Sequence, residues 1–194
     1  HEVTNTPDRG QFTNVAQLAQ NSLKRKDITV IADKGYYSRE DIKTAQDQGV
    51  TALVPKIDTS GAEKNGLFNR SLFKFDHDKD LYTCPPDHEL QYRFETVEHG
   101  QTLKVYFNGI ACRDCTIRSQ CTRSKRDPRR IRRWIHEGEM EAMQQRLDEA
   151  PDTMLIRKQT VEHPFGTIKS WMGATHFLTR RLKNVSTEMS LHVL

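Results

Sequence analysis

The stretch DITVIADKGYYSREDIKTAQDQGVTALVP, residues Asp27–Pro55, decides the reading of the fold. Ile28, Val30 and Ile31 form a short apolar run that stops at Asp33, with Gly35 as punctuation. That pattern predicts a buried strand with a carboxylate at its C-terminal end. Ser38 then stands as an N-cap, acids fill the first turn, and Gly49 ends a short helix. The run VTALV, closed by Pro55, predicts a second buried strand. Strand, helix and strand in this order point to an α/β layer architecture.

Upstream, Phe12, Val15, Leu18, Ala19 and Leu23 recur at helical spacing, which predicts an amphipathic helix from Gln11 to about Lys26. HEVTNTP, before it, reads as the tail of a strand. Downstream of Ile57 the period changes: FKFDHDKDLYTC and LQYRFETVEHGQTLKVYFNG alternate apolar and polar residues, with turns at His77–Lys79 and His99–Gly100. These read as antiparallel hairpins. EGEMEAMQQRLDEAPD predicts a helix stopped by Pro151, and TRRLKNVSTEMSLHVL a closing helix capped at Ser186. The expected organisation is an α/β core over residues 1–57, a β-hairpin insertion over 58–135, and a helical remainder of the core over 136–194. No internal repeat is visible.

The 194 residues suffice for one domain with a sizeable insertion, and a hydrophobic content of 35% with a mean hydropathy of -0.77 predicts a modest core with long polar excursions. No run of about 18 apolar residues and no signal peptide occur, so no membrane span is expected and a cytoplasmic location is. The first residue is His1 and the last, Leu194, falls inside an apolar-periodic run, which predicts a piece of a longer protein. The net charge of +4 is unevenly spread. Nine Lys or Arg residues lie between Arg113 and Arg133, among them Arg129, Arg130, Arg132 and Arg133, against Asp114 and Asp127 alone. Such a block suits DNA phosphates, since each neutralised phosphate releases counterions. A solubilising loop would have the same composition.

All four cysteines lie in or beside the insertion. Cys112 and Cys115 form a CxxC pair, Cys121 is close enough to add a third thiolate, and Cys84 a fourth if the hairpins stack. Four thiolates suit one structural Zn²⁺ with no open position, stapling an insertion too hydrophilic to bury a core. Incidental thiols and a disulfide-bonded secreted domain are the competing readings. His88 is a possible substitute ligand.

In RKQTVEHPFGTIKSWMG, Arg157–Gly173, one acid, Glu162, sits among cations. On an α-helix Lys158, four before it, and Lys169, seven after it, share its face. Pro164 forbids an undisturbed helix, which puts Glu162 at a kink or junction. A solvated, ion-paired helix face is the plain reading, with His163 a surface residue. Asp33 is distant in sequence, yet an α/β core can bring the two acids together as hard oxygen ligands for Mg²⁺.

ADKGYYSREDI after an apolar strand, the Cys-rich insertion, RKQTVEHPFGTIK and FLTRRLKNVSTEMSLHVL together resemble the C-terminal part of bacterial insertion-sequence transposases of the DDE type. The resemblance runs over nearly the whole chain. It implies an RNase H-like core, truncated at its N-terminal strands and interrupted between the second and third acids by an insertion, with Mg²⁺ or Mn²⁺ at the acids; with the cysteine reading, that insertion is expected to be β-rich and zinc-binding. Asp33, in Asp33-Lys34-Gly35-Tyr36, matches the second acid of the triad. Glu162, in Val161-Glu162-His163-Pro164-Phe165-Gly166, matches the third. Relatives carry Tyr-x2-Arg-x3-Glu-x6-Lys around that acid; here Lys169 fits, Lys158 replaces the Arg beside Arg157, and Leu155 replaces the Tyr. Lys158, Arg157 and Lys169 are then expected to hold the DNA strand being cut. The first acid is expected on a strand ahead of His1, with Asp8 a helix-start residue, so the chain by itself is expected to lack cleavage activity.

The implied function is metal-dependent strand cleavage and strand transfer at transposon ends, by an enzyme that forms a homo-oligomer when full length. A non-catalytic, zinc-stabilised nucleic-acid-binding module, or a decayed transposase fragment, is the alternative. An oligomerisation domain built on Trp134, Trp171 and the last helix is a third reading.

Overall fold

The computed structural model describes residues 8–57 and 61–193. The strand expected at His1–Pro7 therefore lies outside the described residues. The chain is a mixed α/β protein that divides into two compact units, one from His1–Ile57 with Glu139–Leu194 and the other from Asp58–Gly138.

The first unit begins with α1 (Phe12–Leu23), followed by β1 (Ile28–Ile31), α2 (Arg39–Asp47) and β2 (Val50–Leu53). The two strands pair in parallel, Ile28 opposite Val50 through Ile31 opposite Leu53, with α2 as the crossover. Helix α1 is fastened to α2 by one carboxylate. Asp41 accepts from the backbone N–H groups of Phe12 and Thr13 at 2.7 and 3.2 Å, satisfying donors that the first turn of a helix leaves over. Thr13 Oγ1 donates to the Asp41 carbonyl at 2.7 Å. Phe12, Ala16, Ile42, Ala45, Val50, Ala52 and Val54 are buried.

Two expectations for this unit change. Val50 and Ala52 are buried on alternate positions of β2, and Thr29 of β1 is exposed. The face carrying Val50 and Ala52 is thus covered more fully than the face carrying Thr29 and Thr51. Ser38 has the extended backbone of an N-cap, but its side chain caps nothing and instead meets Glu40 at 3.3 Å.

After the second unit the chain returns through α4 (Glu137–Glu149), whose Met140, Met143 and Leu147 are buried and whose Glu139 pairs with Lys43 at 3.5 Å. Then comes a nearly continuous helical run. Helix α5 (Thr153–Arg157) opens into a π-helical turn, Lys158–Glu162, followed by α6 (His163–Gly166), with Pro164 in its first turn, and a second π-helical turn, Thr167–Trp171. The last helix, α7 (Leu182–Val193), begins before Ser186, which lies inside it and caps nothing. The segment ahead of α7 is ordered by Glu188, whose carboxylate accepts from the N–H groups of Leu178 and Thr179 at 2.8 and 2.9 Å.

The second unit is a five-stranded antiparallel meander: β3 (Lys74–Asp76), β4 (Leu81–Thr83), β5 (Glu89–Glu98), β6 (Gln101–Phe107) and β7 (Ile131–Trp134), paired in that order. The short helix α3 (Gly109–Arg113) follows β6. His99 and Gly100 both have positive φ, 50° and 79°, the backbone that lets a two-residue turn match the twist of its strands. Phe73, Tyr82, Cys84, Leu90, Tyr106 and Ile131 form the core. Tyr106 Oη donates to Asp80 Oδ1 at 2.7 Å, and Lys104 pairs with the same carboxylate at 2.9 Å.

Strand β7 was hidden in the basic block. Its register sets Arg133 opposite Lys104 and Arg132 opposite Val105. Arg133 is 6% exposed, with its guanidinium 3.8 Å from the Phe75 ring centroid and 3.4 Å from Tyr82 Oη. Its place is inside the sheet and away from a phosphate, because stacking on an aromatic face compensates a buried, weakly hydrated guanidinium.

Candidate functional site

Asp33 follows β1 and turns the chain. Its Oδ1 accepts from the Gly35 N–H at 2.8 Å and caps the short helical turn Lys34–Tyr36, which fixes the direction of the carboxylate. Gly35 is needed here: a Cβ at that position would stand 2.9 Å from Asp33 Oδ1 and 3.5 Å from Asp8 Oδ2.

The other oxygen, Oδ2, lies 3.2 Å from Nη2 of Arg157. Nη1 of the same guanidinium lies 4.0 Å from Glu162 Oε1. One cation therefore stands between the two acids, which are 129 positions apart in sequence. Arg157 itself is only 16% exposed, while Asp33 and Glu162 keep 43% and 55% of their side chains open to solvent.

Why Arg157, and not Lys158, meets Glu162 follows from the helix. In an α-helix the partner of residue 162 lies three or four positions back; in a π-helical turn the i, i+5 contact takes over. The turn Lys158–Glu162 is π-helical, and Arg157 is five residues before Glu162. Lys158 and Lys169 are exposed. Lys169 lines a cavity with Phe165, His176 and His192.

Two neighbours escaped the sequence reading. Asp8 lies in the turn ahead of α1, its carbonyl accepting from Gln11 N–H at 3.1 Å, and its carboxylate also reaches the Asp33 turn. Tyr36 has its hydroxyl pKa raised, first by burial and then by the negative charges of Asp8 and Asp33, with Arg157 opposing. The signal for both lay in the Asp33-Lys34-Gly35-Tyr36 turn, which draws whatever flanks it toward one spot.

The basic residues of the second unit are mostly engaged locally. Arg129 lies over the Phe73 ring at 5.5 Å and Arg130 over Phe107 at 5.6 Å; Arg130 also pairs with Asp127 at 3.6 Å. Arg132 pairs with Glu98 at 3.1 Å. Arg123, Lys125, Arg126, Arg130 and Arg132 are exposed.

The four cysteines come together. Cys84 after β4, Cys112 on α3, Cys115 just beyond it and Cys121 all line one cavity of about 20 Å³, as do His88, Arg118 and Arg129. None is in a disulfide. Burial pushes the Cys84 thiol up; Cys121 is pushed up to about 11, by burial first and further by Cys112, Cys84 and Cys115, with Arg129 opposing. No three His, Cys, Asp or Glu side chains among the described residues are already set at positions that hold a metal ion, here or at Asp33.

No described helix is long and apolar enough to cross a membrane. No curated protein and no solved structure matches the chain. A family model described as "Transposase DDE domain" matches residues 83–194, more than half of the chain. By that match, which takes in Glu162 and all four cysteines, the chain belongs to the transposase DDE domain family.

Proposed function

We propose that this chain carries the second and third acids of a DNA transposase's catalytic triad, Asp33 and Glu162, within an RNase H-like core. The reaction is phosphoryl transfer, cleaving DNA at transposon ends and joining the ends to a target. The observation that carries this reading is the convergence of both carboxylates on Arg157, at 3.2 and 4.0 Å. Two anions held at one cation, and half open to water, fit a site for hydrated Mg²⁺ or Mn²⁺, hard ions that take carboxylate oxygens and keep water in their shell. Such an ion, when bound, lowers the barrier by activating a hydroxyl and stabilising the leaving oxygen.

The protein's own contributions are positional. The Gly35 N–H holds one oxygen of Asp33, so the other is aimed. The π-helical turn brings Glu162 beside Arg157. Arg157 keeps the two acids from repelling each other, and is placed to turn to a DNA phosphate once an ion takes over that task. Lys158 and Lys169, both exposed, supply further phosphate contacts, as do the exposed arginines of the second unit. Arg133 is left out of that set by its burial. The first acid is proposed to lie upstream of His1, and the assembled enzyme to be a homo-oligomer.

One observation favours the alternative, a nucleic-acid-binding module without catalysis: Arg157 already bridges the two acids, as in an ordinary structural ion-pair network. Plasmid nicking separates the two. In a transposase that joins this chain to its upstream strand, Glu162→Ala is expected to abolish Mg²⁺-dependent nicking and leave DNA binding within about threefold. Undiminished nicking would overturn the catalytic assignment.

A further inference from the structure

We propose that the sulfur-lined cavity of the antiparallel unit is a site for one Zn²⁺ ion on Cys84, Cys112, Cys115 and Cys121, with Arg118 and Arg129 as its neutralising cations. The proposal does not depend on the reading of Asp33 and Glu162, since all its residues lie in the second unit.

Three independent observations lead there. The first is convergence: four thiols from separate segments, and the only four in the chain, share the wall of one cavity. The second is size. About 20 Å³ is room for roughly a single water-sized species. The third is an imbalance in polarity. Among the described residues, four buried side-chain polar atoms find no hydrogen-bond partner, and two of them are Nε of Arg118 and Nε of Arg129. Both arginines stand on the wall of this cavity. A buried N–H without an acceptor costs about 1–3 kcal/mol, so two on one wall call for an anion.

The chemistry supplies it. Binding Zn²⁺ breaks four S–H bonds, releases the four protons to solvent and forms four Zn–S bonds, with no change of oxidation state. The tetrathiolate bears a net charge of -2, which two guanidinium groups balance. Thiolate sulfur also accepts N–H donors, as the orphaned Nε–H groups require. Arg118 is already anchored for this role, donating through Nη1 to the Cys112 carbonyl at 3.4 Å and through Nη2 to the carbonyls of Ser124 and Asp127 at 3.3 and 3.1 Å. On the far side, Cys84 N–H donates to the His88 carbonyl at 3.0 Å and Asp87 N–H to the Cys84 carbonyl at 2.9 Å, so the Cys84 turn is already closed. Because no three sulfurs are yet at ligating positions, binding includes an inward closure of at least two of them. Four sulfur ligands leave no open position, and the ion is structural.

The test uses the full chain, purified under reducing conditions and loaded with Co²⁺ as a spectroscopic probe. Expected are one equivalent bound, the intense sulfur-to-cobalt charge-transfer band of a tetrathiolate, displacement of Co²⁺ by Zn²⁺, and protection of all four thiols from alkylation until chelation. Arg118→Gln and Arg129→Gln should each weaken Zn²⁺ binding about 10- to 100-fold, as losses of outer partners do. Lys64→Gln, a surface control, should change it less than twofold. Co²⁺ bound without the charge-transfer band, thiols that react freely in the presence of Zn²⁺, or arginine variants indistinguishable from Lys64→Gln would each overturn the proposal. A carboxylate-bound ion gives no such band, so failure here is distinguishable from failure at Asp33 and Glu162.

Discussion

At Asp33 and Glu162 two anions already have a mostly buried cation between them, whereas on the cavity wall of the second unit two buried Nε–H donors have no acceptor. The acid site has a cation in contact with both carboxylates and is half open to water. The sulfur cavity has room for about one water-sized species, and two polar N–H groups on its wall lack acceptors. An ion at the acids must compete with Arg157; an ion at the sulfurs meets groups that only its arrival satisfies. On the two proposals, the difference separates a site suited to an exchanging catalytic ion from one suited to a permanent structural ion.

Removing the proposed Zn²⁺ should break the comparison most visibly. Cys112→Ser or prolonged chelation is expected to abolish the cooperative unfolding transition of the antiparallel unit, because zinc-binding energy becomes folding energy in a domain with a small core. Circular dichroism melts of holo and chelated protein check it.

At the acid site, Arg157→Ala leaves two neighbouring carboxylates facing each other. Since both are about half exposed, solvent screening limits the cost to about 1–2 kcal/mol. The same substitution removes the competing cation, so Mn²⁺ affinity should rise severalfold while DNA affinity falls. A loss of Mn²⁺ affinity would mean that Arg157 positions the acids and does not stand in for an ion. Gly35→Ala tests the turn itself: its Cβ would meet Asp33 Oδ1 at 2.9 Å. About 1–2 kcal/mol of stability and much of the Mn²⁺ binding should be lost as the carboxylate is pushed aside.

The second unit also carries an acid whose charge matters to its sheet. Burial alone would raise the Asp80 carboxyl pKa, but the hydrogen bonds from Lys104 and Tyr106 outweigh it and hold the pKa below the usual carboxylate range. A depressed folded pKa contributes stability that is present above the unfolded value and disappears as pH falls through the folded one. Tyr106→Phe should therefore cost about 1 kcal/mol at neutral pH, and the difference from the parent should shrink in acid below the ordinary carboxylate range. Denaturant titrations at pH 7 and pH 3 measure it. The smallest effect belongs to Ser38→Ala. With no cap hydrogen bond to lose, it should stay within about 0.5 kcal/mol, against the ~1 kcal/mol of a working N-cap.

Much of this was legible in the sequence, for reasons that are local. The alternation over Leu90–Phe107, the turn at His99–Gly100, the strand closed by Asp33 and the helix junction just before Pro164 each follow from a period or a backbone restriction within a few residues. What was not legible depends on tertiary partners. Strand β7 reads as a charge run because Arg132 and Arg133 occupy it, and only the Phe75 ring explains how an arginine can be buried there. The cap on α1 comes from Asp41, almost thirty residues away, whereas the side-chain cap expected from Ser38 on α2 is not made. At the acid site, α-helical spacing selects Lys158 as the partner of Glu162; the π-helical turn shifts that contact to Arg157. No period in the sequence announces that extra residue per turn.

The most direct test of the central claim is Mn²⁺ binding followed by electron paramagnetic resonance in the zinc-loaded chain, compared with Asp33→Asn and Glu162→Gln. The account predicts a Mn²⁺ site in the parent that each substitution weakens at least tenfold, with the sulfur site and the fold unchanged. Equal Mn²⁺ binding in all three proteins would show that the convergence of Asp33 and Glu162 on Arg157 is an ion-pair network alone, and would contradict the catalytic reading.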